Sequence, residues 1–308
     1  MYSVKSTSNQ GLSYLTLTSS DASSCAQICL QQGGRLSRLM FNHTQIIEQY
    51  PSATYNTTFA SSILFPFANR IKDGKYSFEN STYVLDCNEP KTKNALHGLV
   101  YDKLFLCVKK EVSTSSASVT LQYDDEGNSE GFPFKFMIQL TYELNATGIR
   151  LRVDVENKGL KAFPCTLGWH PYFVSKNLDL SSINFKGTAS LPNNSSFEKS
   201  RLSAFLSTNS RSLKEIKLDH SFTLQDTEVE FLTPNYSLVM QSSSPHLFLQ
   251  LYTPEKSDVI AIEPMTGAVN SFNNKKGLQI IEAGGAYAVS WSLIIKTSMN
   301  NETSTVLL

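Results

Sequence analysis

The sequence predicts an all-β protein, a large antiparallel β-sandwich with few helices. Three observations carry that expectation. Apolar and polar residues alternate with period 2 over long stretches, which puts every second side chain on a buried face. Turn residues recur between those stretches. Helical periodicity is poor along the whole chain. The 308 residues suffice for one large core, and no linker separates regions of different composition. One domain is expected over residues 1–296, followed by a polar tail at 297–308.

Taken in order, Ala22 to Gln32 reads as a strand that turns at Gly33-Gly34 into a second strand. Val119, Leu121 and Tyr123 alternate next. Phe134, Phe136, Ile138, Leu140, Tyr142 and Leu144 then alternate with polar residues. After the turn Asn145-Ala146-Thr147-Gly148 come Ile149, Leu151, Val153 and Val155, which completes a hairpin. Leu247, Leu249 and Leu251 predict another strand, and Tyr287, Val289, Trp291, Leu293 and Ile295 the last. Ser113 to Ser118, Asp124 to Gly131 and Pro192 to Ser203 read as loops. Val259-Ile260-Ala261-Ile262 is apolar on both faces, so it belongs at the centre of a sheet.

Composition excludes several classes. Lysine plus arginine and aspartate plus glutamate both number 27, which gives zero net charge and no basic patch for nucleic acid. No apolar run approaches the roughly 20 residues of a membrane span. The N-terminus shows no apolar signal region, so a cytoplasmic protein is expected. Five scattered cysteines form no CxxC pair and no zinc spacing, which fits reduced, packed thiols. The Asn-x-Ser/Thr triplets carry no weight in a chain this rich in those residues.

Gly168-Trp169-His170-Pro171-Tyr172-Phe173 concentrates a titratable imidazole among aromatics. Pro171 pushes His170 into extended geometry and offers no N–H, so His170 is expected where strand pairing stops. Trp169 and Tyr172 could face a sugar ring or simply pack. The buried strand at 259–262 runs into Glu263-Pro264, which places a carboxylate at its end under the same proline constraint. Asn69-Arg70, His97 before Gly98, Asp219, and Asn270, Asn273 and Asn274 are further polar positions beside apolar runs. Gly98 would let backbone approach a ligand closely. Singly, each of these has a structural explanation as a turn, cap, ion pair or packed histidine.

Together, Asn69-Arg70-Ile71, Leu96-His97-Gly98, His170-Pro171-Tyr172-Phe173, Asp219 with Phe222, and Ile262-Glu263 resemble the aldose 1-epimerase (galactose mutarotase) family, in order and from about Gly34 to Ile295. Gly284-Gly285 and Trp291 also resemble its closing strands. The resemblance implies the galactose mutarotase-like supersandwich and interconversion of sugar anomers without a cofactor or metal. It implies Glu263 as base and His170 as acid on either side of the sugar. His97 would lie near the ring oxygen, with Arg70, Asn69 and Asp219 orienting hydroxyls. Departures at Phe65-Pro66, Leu99, Val174 and Pro264-Met265-Thr266-Gly267 fall where a pocket would set sugar preference. The implied partner is a small monosaccharide, met by a monomer or homodimer. Two other readings are a glucose-6-phosphate 1-epimerase-like enzyme, which needs more cations than Arg70, Lys72, Lys275 and Lys276 supply, and a non-catalytic carbohydrate-binding domain on the same fold.

Overall fold

The computed structural model describes residues 1–48, 55–189, 205, 211–214, 216–255 and 258–297. Two large antiparallel sheets dominate. Among the described residues, one has nine strands and the other twelve.

The nine-stranded sheet is built outward from the hairpin Phe136–Asn145 and Gly148–Asn157. Its register pairs Ile138 with Val155, Leu140 with Val153, Tyr142 with Leu151 and Leu144 with Ile149. All eight are buried. Each such aliphatic or aromatic side chain contributes about 1.5–3 kcal/mol by leaving water. A one-residue slip would replace them with Gln139, Thr141, Glu143, Arg150, Arg152 and Asp154, so the register is fixed by burial. In the turn, the Asn145 side-chain oxygen accepts from the Thr147 amide at 2.9 Å. Gly148 follows because a Cβ there would lie 1.9 Å from the Leu293 carbonyl oxygen. Ser116–Asp125 and Ala286–Thr297 flank the hairpin, and Leu106–Val112 forms one edge. That edge exposes Leu106, Val108 and Val112, but a bulge after Cys107 and the lysines at 109 and 110 blunt it against pairing with another chain.

The twelve-stranded sheet opens with a meander of Ser3–Asn9, Leu12–Thr18, Cys25–Cys29, Arg35–Phe41 and Thr44–Ile47. The expected strand pair across Gly33-Gly34 is present. The sheet continues through Tyr172–Val174, Val259–Met265, Phe248–Tyr252, Asp219–Leu224 and Gly187–Ala189. Among the described residues, helix is confined to single turns such as Tyr55–Thr58 and Ser271–Asn274. No helix among the described residues is long and apolar enough to cross a membrane.

Three expectations need correction. The strand carrying Glu263 runs on to Met265 with all seven residues buried, so Glu263 lies inside a strand. Two loops are shorter than expected, because Ser116–Asp125 is already strand. Residue 297 closes the last strand, and the rest of the expected tail, like the whole Pro192–Ser203 loop, lies outside the described residues.

Candidate active site

His170 and Glu263 meet where an unbroken strand faces an interruption between two short ones. Gly168–Trp169 and Tyr172–Val174 both pair with Val259–Met265, Gly168 facing Met265 and Tyr172 facing Ala261. Residues 169–171 therefore lie against residues 262–264. The amide of Ile262 donates to Pro171 at 3.3 Å and that of Thr266 to Leu167 at 2.8 Å. Residue 264 is the intervening donor position of that series, and proline has no N–H to offer. The paired prolines thus leave a gap in the ladder, with an imidazole on one side and a carboxyl on the other. His170 Nε2 lies 3.4 Å from Glu263 Oε1.

His97 joins them from a separate small ladder. Leu96 pairs with Arg70, and the His97 amide donates to the Asn69 carbonyl at 2.9 Å. Asn69 and His97 both have left-handed backbone, at φ 59° and 64°. The Gly98 that follows has a different purpose from the one expected. A Cβ there would sit 2.2 Å from the Phe65 carbonyl oxygen, so the close approach is to the chain itself and not to a ligand. The His97 and His170 rings meet edge to face at 5.1 Å. One ligand-type atom from each of His97, His170 and Glu263 lies within 4.8 Å of the others. That spread is loose for a single zinc ion, whose tetrahedral donors sit about 3.4 Å apart at normal bond lengths.

All three side chains are buried, and His97 Nδ1, His170 Nδ1 and Glu263 Oε2 have no hydrogen-bond partner among the described residues. Burial disfavours charge on each. It holds the His170 imidazole down to about 4. It holds His97 well below its usual range, with His170 and Arg70 adding to the effect. It raises Glu263 well above the ordinary carboxyl range; Asp219 adds to this and Arg70 opposes it. Burial thus favours neutral imidazoles and a protonated carboxyl in this cluster.

Arg70 and Asp219 stand around this cluster. Arg70 grips Glu89 through Nη2 at 2.7 Å and Nε at 3.0 Å, and Nη1 reaches the Asn69 side-chain oxygen at 3.4 Å. That grip holds the Glu89 carboxyl down to about 2. Asp219 is exposed and is tied to the site through Gln250, whose Nε2 donates to it at 2.7 Å. Gln250 is the ladder neighbour of both Glu263 and Ser221, and Ser221 Oγ donates to its side-chain oxygen. A cleft of about 420 Å³ opens here, lined among others by Asp219, Ser221, Phe248, Met265, Asn274 and Lys276.

Arg70, His97, His170, Asp219 and Glu263, all singled out from the sequence, are thus in or beside one site. Glu89 and Gln250 were missed. Glu89 precedes Pro90, the same arrangement that marked His170 and Glu263, so a signal existed. Gln250 had none, because it alternates like any outward residue of its strand. Asn270, Asn273 and Asn274 proved structural: Asn270 caps the Lys72 amide at 3.1 Å, and Asn274 binds the Val269 carbonyl at 2.8 Å. Trp169 is buried and stacks on Trp291 at 6.5 Å, so it packs. Tyr172 lies nearly parallel to the His170 ring at 5.1 Å and fixes its plane.

A large antiparallel sandwich of this form has the galactose mutarotase-like fold. The aldose 1-epimerase family matches residues 15–293, and the chain belongs to that family. It is 27% identical to the uncharacterized protein YihR of Escherichia coli (strain K12), over 85% of this chain and 87% of that one. Its fold is similar to a galactose mutarotase-like protein from Clostridium acetobutylicum, with TM-score 0.83, 19% identity, and 96% and 99% of the two chains covered. Galactose 1-epimerase from Lactobacillus acidophilus NCFM aligns with TM-score 0.74, 15% identity, and 97% and 99% coverage.

Proposed function

We propose that the protein is an aldose 1-epimerase that interconverts the α and β anomers of a free aldose such as galactose or glucose. The observation that carries this reading is the buried couple His170–Glu263, with unpartnered polar atoms on both residues. Buried groups without partners are costly unless a ligand completes them.

Glu263 takes the proton of the C1 hydroxyl and His170 gives one to the ring oxygen. The bond between C1 and the ring oxygen breaks, C1 becomes an aldehyde carbon, and rotation about C1–C2 exposes its other face. Reclosure reverses both proton transfers. The couple carries one proton throughout. Hydrogen bonds from bound sugar hydroxyls offset the burial of the carboxylate, so the proton shifts across the 3.4 Å gap to His170 and arms the pair. Ring opening then returns it to the carboxyl, the arrangement that burial favours.

One expectation changes. A separation of 3.4 Å leaves no room for a sugar between acid and base. The C1 hydroxyl oxygen and the ring oxygen are both bonded to C1, so they lie closer together than a hydrogen bond is long. The sugar therefore presents its C1 edge to the pair. His97 hydrogen-bonds near the ring oxygen, while Arg70 with Asn69, and Asp219, orient hydroxyls.

Free sugar is preferred over phosphosugar because the site's guanidinium, Arg70, is already occupied by Glu89. Polarimetry of freshly dissolved α-galactose, α-glucose and α-glucose 6-phosphate tests the proposal. Enzyme-dependent acceleration is expected on at least one free sugar. Binding without acceleration would make the protein a carbohydrate-binding relative.

A further inference from the structure

Arg35 is among the most deeply buried side chains of the molecule, at 1% exposure, and the chemistry above makes no use of it. No aspartate or glutamate pairs with it among the described residues. Its Nε donates to the Gln32 side chain at 2.8 Å and its Nη1 to the Ala60 carbonyl at 3.2 Å. The guanidinium lies 4.5 Å above the Tyr55 ring. A buried cation held this way is a poor stabiliser, and an apolar side chain of similar volume is often as good or better. Packing alone therefore does not account for it.

What Arg35 grips is the segment Tyr55 to Ser62, and that segment brackets both site histidines. The Tyr55 hydroxyl is anchored to Ser62 Oγ at 2.7 Å and to the Tyr101 carbonyl at 2.8 Å. Phe59 and Ser61 are bent into left-handed backbone, at φ 50° and 61°. The Ser61 amide then donates to the His170 carbonyl at 2.8 Å, and the His170 amide donates to Ser62 at 3.1 Å. The Phe59 ring packs on the His97 ring at 4.9 Å. The Tyr172 hydroxyl, on the ring that stacks against His170, donates to the Thr58 carbonyl at 3.3 Å. Two left-handed residues without glycine's freedom need outside restraint to persist. The fork of Arg35 supplies it at the carbonyl lying between them.

We propose that Arg35 is a positioning residue: with Tyr55 it forms a buried post that holds the 55–62 segment, and through that segment sets the placement and desolvation of His170 and His97. Arg35 touches no substrate. Its role rests on the acid–base reading of the site, but it has a consequence that can be measured without activity. The groups facing His170 are Glu263 from the neighbouring strand, His97, and the Tyr172 ring. If the post slackens, water reaches this cluster and the ring titrates nearer its free value.

The test uses full-length protein labelled with ¹⁵N-histidine, whose five rings are followed by NMR. Wild type is compared with Arg35→Met, Arg35→Lys and Tyr55→Phe, alongside mutarotation kinetics. In Arg35→Met, His170 is expected to titrate about one pH unit or more higher. A displacement near 1 Å should lower kcat about tenfold to a hundredfold, with KM changed much less. Arg35→Lys keeps the charge but not the flat fork, so it should fall between, which separates positioning from charge. The proposal is overturned if a folded Arg35→Met protein keeps the wild-type His170 titration and a kcat within about twofold. If Arg35→Met does not fold, Tyr55→Phe decides by the same ring titration. If wild type epimerises no sugar, the proposed function falls, while the titrations still decide the post.

Discussion

The hairpin Phe136–Asn157 and the strand Val259–Met265 use the same backbone to opposite ends. Inward side chains of the hairpin are buried and almost all apolar; the Tyr142 hydroxyl has no partner among the described residues. The strand buries all seven side chains, yet one is Glu263, facing His170 across a gap made by two prolines. Strands of the first kind carry the stability of the sandwich. The second holds buried polar atoms of His170 and Glu263 that have no hydrogen-bond partner among the described residues.

The sharpest way to break this contrast is to remove the ionisable groups. Glu263→Gln and His170→Asn should each slow mutarotation by about 100-fold or more, the usual worth of a positioned acid or base, and both should fold. Polarimetry with far-ultraviolet circular dichroism checks this, and near-wild-type rates in either would end the assignment. The mirror experiment is Leu140→Ala in the hairpin. It should cost about 2–5 kcal/mol in urea unfolding and leave the mutarotation rate of the folded protein nearly unchanged.

Glu89→Gln probes the support around the site. Loss of the charged partner should free Arg70 to shift and raise KM by about tenfold, consistent with 1.5–3 kcal/mol for a charged hydrogen bond. A KM unchanged from wild type would make the pair structural only.

The smallest effect is in stability against pH. The unfolded chain protonates His170 as pH falls through 6.5, whereas the folded protein withholds that proton until about 4. The stability that goes with a neutral, buried imidazole is therefore complete above 6.5 and is lost progressively on the way down to about 4. His170→Asn should flatten the acid limb of a Tm–pH curve in that window. Glu263 is raised, so its linkage is opposite: folding weakens as pH climbs above 4.5, and Glu263→Gln should relieve that.

Much of this was legible beforehand, for identifiable reasons. The hairpin declared itself because one buried face imposes strict alternation over ten residues per strand. His170 and Glu263 declared themselves because a proline follows each of them. Gln250 stayed silent because a residue that works through its ladder neighbours looks like any polar position in an alternating strand. Arg35 was hidden as the first residue of an ordinary strand after two glycines.

By itself, then, the sequence determined the β class, the strand registers of the main hairpin, and the residue types that gather at the site. Those follow from local periodicity and from the backbone limits of proline. Tertiary structure decided that His170 and Glu263 lie side by side, that Gly98 makes room for Phe65, that Trp169 packs on Trp291, and that Arg35 reaches Ala60. Each of these depends on which distant segments are brought into contact. Packing of two sheets fixes that, and no local pattern encodes it.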